Sequence, residues 1–295
     1  KMDLYLDVKQ FKNNSMKLHV IDTGLFKLDG GAMFGVVPKS LWSRYQTPDE
    51  NNLCTWAMRC LLIEKDDKLI LIDTGMGDKQ SEKFFSHYYP HGEDTLLKSL
   101  KSKGFNPEDI TDVVLTHLHF DHCGGAVSKD AEGKLYTTFP KATYWSDSEH
   151  WEWAINPNAR EKASFLSENI LPIQESSQLQ FVNEYTKIIP ELTFALANGH
   201  TEGMLIPHIQ YGDKTIVYMA DLLPSPSHIP VAWVMGYDVR PLITVKEKET
   251  FLKEAVDKDY ILFYEHDALI QASKVIATDS GNYKAGTTGN LIDFL

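Results

Sequence analysis

Ten residues, Thr116-His117-Leu118-His119-Phe120-Asp121-His122-Cys123-Gly124-Gly125, narrow the possibilities for this chain more than any other stretch, because they set three imidazoles and a carboxylate within six positions. They follow the apolar run Val113-Val114-Leu115, so the polar cluster sits where a strand ends and the chain turns. In extended backbone, residues two apart point the same way, so His117 and His119 can grip one metal ion while Leu118 and Phe120 pack on the other side. Asp121 and His122 come as the chain leaves the strand, where a turn can aim both at a second ion, and Gly124-Gly125 is expected to supply the sharp bend. Burying such groups unpaired is costly. A transition-metal site accounts for them better than a polar surface turn does.

One metal takes about four ligands, so two metals need more than this segment offers. Three further positions share its placement after an apolar strand. His200 lies in the turn Ala197-Asn198-Gly199-His200-Thr201-Glu202-Gly203, Asp221 follows Thr215-Ile216-Val217-Tyr218-Met219-Ala220, and His266 follows Tyr260-Ile261-Leu262-Phe263-Tyr264.

The surrounding chain reads as mixed α and β. Strands are expected at Leu18–Asp22, Ala57–Ile63, Leu69–Asp73, Asp112–Leu115, Ala142–Trp145, Leu192–Leu196, Leu205–Gln210, Thr215–Met219 and Tyr260–Tyr264, each rich in β-branched or aromatic residues. The turns Lys65-Asp66-Asp67-Lys68 and Tyr211-Gly212-Asp213-Lys214 make hairpins of the strands that flank them. Helices are expected over Asp94–Lys103, with Gly104 as the stop, over Lys246–Lys258, and over most of Glu149–Ile170, interrupted at Asn156-Pro157. No repeat, low-complexity tract or long linker divides the 295 residues, so a single domain over 1–295 is expected.

Composition excludes some partners. With 29 Lys and Arg against 41 Asp and Glu, the net charge of −12 repels nucleic-acid backbones and anionic membranes. No apolar run reaches the length of a membrane span, and Lys1–Lys12 lacks the apolar stretch of a secretory signal. Three cysteines, Cys54, Cys60 and Cys123, do not form a disulfide framework and fit a reducing compartment, hence a cytoplasmic expectation. Cys123, between a candidate ligand and two glycines, reads as a small packed residue rather than a nucleophile.

The pattern His117-x-His119-x-Asp121-His122, then His200, Asp221 and His266, resembles the metallo-β-lactamase superfamily of dinuclear metal hydrolases, as does the strand end Leu71-Ile72-Asp73-Thr74-Gly75. The resemblance implies an α/β (α+β) four-layer αβ/βα sandwich, two mixed sheets with helices outside and metals at one edge between the sheets. It also implies that His117, His119 and His200 hold one zinc and Asp121, His122 and His266 another, with Asp221 bridging; other divalent transition metals would also fit. Asp73 is a candidate to orient a ligand imidazole from behind.

Imidazole at His119 favours zinc over the di-iron branch, and Asp221 stands where true β-lactamases place Cys or Ser. The stretch after His266 is too short for the helical domain of glyoxalase II proteins. Leu28-Asp29-Gly30-Gly31-Ala32-Met33-Phe34-Gly35-Val36-Val37-Pro38-Lys39-Ser40-Leu41-Trp42 is similar to the N-terminal signature of quorum-quenching N-acyl homoserine lactonases and their methyl-parathion-hydrolase-like relatives. These resemblances imply hydrolysis of a small-molecule lactone or ester, with phosphotriester or aryl ester hydrolysis as the alternative at the same site, Asp121 as proton shuttle, and a homodimer left open. Several lactonases carry a Tyr three residues after the bridging Asp; here that position is Pro224, with His228 and Tyr237 as candidate replacements. Met33, Phe34, Leu41, Trp42, Trp145, Trp151, Trp153 and Trp233 are candidates for an apolar acyl pocket.

Overall fold

The computed structural model describes residues 16–183 and 185–295. The Lys1–Lys12 stretch considered above lies outside them. All nine expected strands form. β1 (Lys17–Asp29), β2 (Leu53–Lys65), β3 (Lys68–Ile72), β4 (Asp112–Val114), β7 (Thr143–Ser146) and β8 (Leu179–Phe181) make one six-stranded sheet in the order β1-β2-β3-β4-β7-β8. β9 (Leu192–Ala197), β10 (Met204–Tyr211), β11 (Lys214–Tyr218), β12 (Ile261–Phe263), β13 (Ala272–Ala277) and β14 (Tyr283–Gly289) make the other, in the order β14-β13-β12-β11-β10-β9. A small ribbon joins β5 (Val127–Lys129) to β6 (Leu135–Thr137). Both sheets are mixed: β2/β3 and β10/β11 are the expected antiparallel hairpins, whereas β3/β4, β4/β7 and β11/β12 run parallel. The hairpin turns place Asp66 and Gly212 at positive φ, the twist that tight hairpins require.

Side-chain alternation along the central strands explains the layering. Leu61, Ile63, Ile70 and Ile72 face the second sheet and pack with Ile206, Ile216, Val217 and Leu262. Their neighbours Cys60, Leu62 and Leu71 face the other way, against Leu96, Leu100, Trp151, Ile170 and Ile173. Strands buried on both faces read as unbroken apolar runs, as β2 and β3 do.

Of the helices, α1 (Gly30–Phe34), α2 (Lys39–Trp42), α3 (Glu82–Tyr88) and α5 (Phe120–Cys123) are short, and α4 (Leu96–Ser102) and α8 (Pro241–Asp257) are the expected amphipathic pair. α4 starts on the Thr95 hydroxyl, which accepts from Lys98 N–H, and α8 packs by Phe251, Leu252 and Ala255. The expected helical run Glu149–Ile170 divides further than its Asn-Pro pair suggested: α6 (Ser148–Ile155) and α7 (Ser167–Glu175) are separated by non-helical residues 156–166. There Asn158 Oδ1 accepts from the backbone of Arg160 and Glu161, a local turn that competes with helix. No helix among the described residues is long and apolar enough to cross a membrane.

At one edge the two sheets meet directly. Ala57 and Arg59 of β2 donate backbone hydrogen bonds to the carbonyls of His266 and Glu265, and the buried Arg59 guanidinium binds the carbonyls of Tyr264 and Asp267.

Candidate metal centre

Every candidate ligand leaves a strand end at that edge. β4 delivers His117 and His119, and α5 begins at Phe120, so Asp121 and His122 project from one short helical turn rather than from extended backbone. Leu118 packs into the core as expected, whereas Phe120 turns toward the site beside Tyr88, because α5 has already begun. Gly124 and Gly125 are not a bend of unusual backbone but a 3-10 turn; a Cβ on either would run into the carbonyl oxygens of Met76 and Thr74, so their role is close approach of two chain segments.

The sequence-separated side chains converge in two groups. His117, His119, His200 and Asp221 offer ligand atoms within 4.8 Å of one another, and so do Asp121, His122 and His266. In the first, His117 Nε2 lies 3.1 Å and His200 Nε2 3.2 Å from His119 Nδ1, and Asp221 Oδ2 is 3.0 Å from His200 Nε2. In the second, His266 Nε2 is 3.1 Å from His122 Nε2, while Asp121 Oδ2 lies 3.8 and 4.0 Å from the two rings. Asp221 stands between the groups, its Oδ1 3.1 Å from His266 Nε2 and its Oδ2 turned to His200.

Hydrogen placement tests whether these residues suit a cation. His266 Nδ1 lies 2.7 Å from the Ala57 carbonyl, which can only accept, so the ring hydrogen is on Nδ1. His122 Nδ1 faces Glu265 Oε2 at 2.9 Å and Asp73 Oδ2 at 3.2 Å, and His200 Nδ1 faces Asp238 Oδ1 at 3.0 Å. Each neutral ring therefore turns an Nε2 lone pair inward, and those of His122 and His266 meet head-on. Asp221 Oδ1 is buried with no hydrogen-bond donor in bonding geometry. Two nitrogens on one tetrahedral zinc, with bonds of 2.0–2.1 Å, stand about 3.3 Å apart, close to the separations here. The donor set fits a pair of divalent ions.

The electrostatics agree. Burial pushes the His200 and His266 imidazoles down, but Asp221 more than offsets it, helped at His200 by Asp238, raising them to about 10 and about 9. His122 is likewise raised, burial being outweighed by Glu265, Asp221 and Asp121. Burial raises Asp221, yet the rings of His200, His266 and His122 hold it well below the usual carboxylate range. The site thus concentrates negative charge that either ring protons or metal ions must balance.

Behind the ligands, Asp73 accepts from Thr116 N–H at 2.8 Å and from its hydroxyl at 2.6 Å, which fixes the carboxylate against His122. Three supporting carboxylates escape the sequence reading. Glu265 binds His122 and accepts from Tyr218 Oη at 2.7 Å, Asp238 binds His200, and Glu161 Oε1 lies 3.5 Å from His119 Nε2. Glu265 had a signal, a charged residue beside His266 after a fully apolar strand. Asp238 and Glu161 sit in loops with no period or motif to mark them.

A cavity of about 300 Å³ opens over the ligands, walled by Leu28, Met33, Tyr88, Phe120, Met235 and Tyr237. Of the candidate acyl-pocket residues only Met33 lines it. Phe34 and Trp42 are buried and stacked at 5.3 Å, Leu41 is exposed and does not line the cavity, and Trp145, Trp151 and Trp153 spend their indole N–H groups on Asp112, Gln174 and Glu161. Trp233 packs edge-on against Phe34. His228 is also elsewhere, bonded to Ser225 Oγ and the Met33 carbonyl, so of the two candidate replacements Tyr237 is the one at the site, where Tyr88 offers a second phenol. The Cys123 thiol is buried, pushed up to about 12, and donates to Leu118 O, as a packed residue would.

The model of the metallo-beta-lactamase superfamily matches residues 59–266, which include all seven candidate ligands. An N-acyl homoserine lactonase of Bacillus sp. is 26% identical over 268 residues, 85% of this chain and 93% of that one. Among solved structures, a probable metal-dependent hydrolase from Staphylococcus aureus superposes with a TM-score of 0.84 at 29% identity, covering 93% of this chain and 96% of that one. The dizinc quorum-quenching lactonase AidC, solved with a product N-hexanoyl-L-homoserine, gives 0.74 at 25% identity, covering 94% and 95%. The chain belongs to the metallo-beta-lactamase superfamily. It is a metal-dependent hydrolase with lactonase homologues.

Proposed function

We propose that this protein opens the ring of N-acyl homoserine lactones or closely related esters with two zinc ions. The observation that carries the reading is the pair of ligand groups sharing Asp221 beneath a cavity with an apolar wall. His117, His119, His200 and Asp221 would hold one ion, and Asp121, His122, His266 and Asp221 the other. Ions bound there supply Lewis acidity, which polarises a carbonyl and makes water nucleophilic near neutral pH.

The chain's own groups do the rest. Asp121 lines the cavity and would take the proton of the attacking water and return it to the leaving alkoxide. Leu28, Met33, Phe120 and Met235 give an acyl group an apolar surface and exclude water from the carbonyl. Burial, with Asp121 next, pushes the Tyr237 phenol up, so it stays protonated and can donate to a substrate oxygen, the part Pro224 cannot play. The lactonase relatives support the lactone; the Pro224 position keeps phosphotriester or aryl ester hydrolysis as the second reading.

The test measures kcat/KM for N-hexanoyl homoserine lactone and for an aryl phosphotriester with zinc-loaded protein. The lactone is expected to be the better substrate. A phosphotriester preferred by orders of magnitude would replace the first reading with the second.

A further inference from the structure

A second, larger space lies beside the metal cavity. It measures about 830 Å³ and is walled by apolar residues of the 230–245 stretch and by Val36, with Val36 92% and Leu242 83% exposed at its rim. Among the described residues, Arg160, Met235 and Gly236 line both this groove and the metal cavity. The partition between the two spaces is therefore one layer thick at these residues.

The partition has a packed part and an exposed one. Gly236 N–H donates to the Ala32 carbonyl at 2.8 Å and Met235 N–H to Asp238 Oδ2 at 3.1 Å, while the Met235 side chain is buried in the aromatic cluster around Phe34 and Trp56. Arg160 is different. It is exposed, comes from the non-helical 156–166 segment, and reaches across to bond the Gly236 and Asp238 carbonyls through a single nitrogen, Nη2. Its neighbour Glu161 anchors the segment independently, accepting from Thr201 Oγ1 and Trp153 Nε1 at 2.7 Å each.

We propose that the Arg160 side chain, clasped to the Gly236 and Asp238 carbonyls, is a size gate between the metal cavity and the apolar groove, and that the groove is a subsite for long acyl tails. The inference rests on the acyl-substrate reading above and deepens it. At about 300 Å³ the cavity is at the small end of ligand sites, which run from about 300 to 1,000 Å³. A ring with a short acyl group fills it, and a longer tail needs the space behind Arg160. Each methylene that leaves water for an apolar surface strengthens binding about fourfold, so access to the groove shows as a dependence on chain length.

The experiment compares butanoate and decanoate binding by calorimetry, with zinc-loaded wild type and Arg160→Ala. These carboxylates need no turnover. Arg160→Ala is expected to raise the decanoate-to-butanoate affinity ratio at least ~10-fold, and adding Leu242→Asp, which charges the groove rim, is expected to reverse the gain. Arg160→Gln, which keeps the side-chain length, should move the ratio in the same direction and serves if the alanine variant does not fold. An unchanged ratio in both variants, or no decanoate binding in either, overturns the gate. Hydrolysis of butanoyl and decanoyl homoserine lactones is measured alongside: if neither is hydrolysed the lactonase reading fails, while the carboxylate ratio still decides the gate.

Discussion

The Nε2 atoms of His122 and His266 face each other at 3.1 Å with both Nδ1 hydrogens committed outward, an arrangement that needs a positive charge between the rings. Residue types and strand-end placement made the seven candidate ligands, which the fold brings together, legible in the sequence. The carboxylates that fix the rings from behind were not, because Asp238 and Glu161 reach the site only through tertiary packing of loops. Two predictions belong here. Asp121→Asn keeps the shape but removes a charge and the proton carrier, so kcat for a lactone is expected to fall at least ~10²-fold; near-normal turnover with both ions present would rule out the shuttle. An activated phosphotriester, whose leaving group needs no proton, should lose far less. Asp238→Asn removes the charge that orients His200, and zinc affinity is expected to drop about 10- to 100-fold, read by competition with a chromogenic chelator. Unaltered affinity would show that the His200 orientation is set by packing alone.

Among the elements, the central strands and the helices α4 and α8 were readable from apolar periodicity because each buries a continuous face. The 156–166 segment was not. Its composition tolerates helix, but the Asn158 turn and the pull of Glu161 toward Thr201 and Trp153 hold it open. Helix α8 carries a second feature with no sequence signal. Lys248 is fully buried and its Nζ donates to the carbonyls of His228, Pro230 and Trp233, so the helix holds the chain that leads to Met235 and Tyr237. Burial pushes the Lys248 amine down to about 7, and the three acceptors match the three hydrogens of its protonated form. Lys248→Met leaves the His228 and Trp233 carbonyls without a donor, while Pro230 keeps the Trp233 N–H, and a loss of roughly 2–4 kcal/mol in chemical denaturation is expected, with KM raised more than kcat is lowered. Stability within about 0.5 kcal/mol of wild type would show that water takes over the three bonds.

At the scale of the whole molecule, the sandwich topology followed from the superfamily resemblance, whereas the short or weakly apolar strands β5, β6, β8, β13 and β14 gave no periodicity to read. The charge balance of the centre predicts how stability responds to metal and pH. In metal-free protein, burial is outweighed by Asp221, joined at His200 by Asp238, which raises the His200 and His266 imidazoles to about 10 and about 9, above the ordinary value of about 6.5. Raised folded-state values mean that their contribution is complete below pH ~6.5 and is lost as pH climbs through 9 to 10. Chelated protein is therefore expected to show a Tm that declines steadily from neutral to alkaline pH. Zinc-loaded protein should have a higher Tm throughout and a shallower decline over the same range, because ions replace the ring protons. A flat alkaline profile for the chelated form would contradict the assignment of charge to these rings.

The ligands divide unevenly along the chain. His117, His119, Asp121 and His122 belong to the half that builds the first sheet, and His200, Asp221 and His266 to the half that builds the second. During synthesis the ribosome delivers them in that order, so a nascent chain holds four donors long before it meets the other three. Neither of the two candidate ligand groups is complete until the second half has emerged and docked, since the first lacks His200 and Asp221 and the second lacks His266. Under the proposed function, metal capture is consequently a late event in biogenesis, complete only in a chain whose halves have come together.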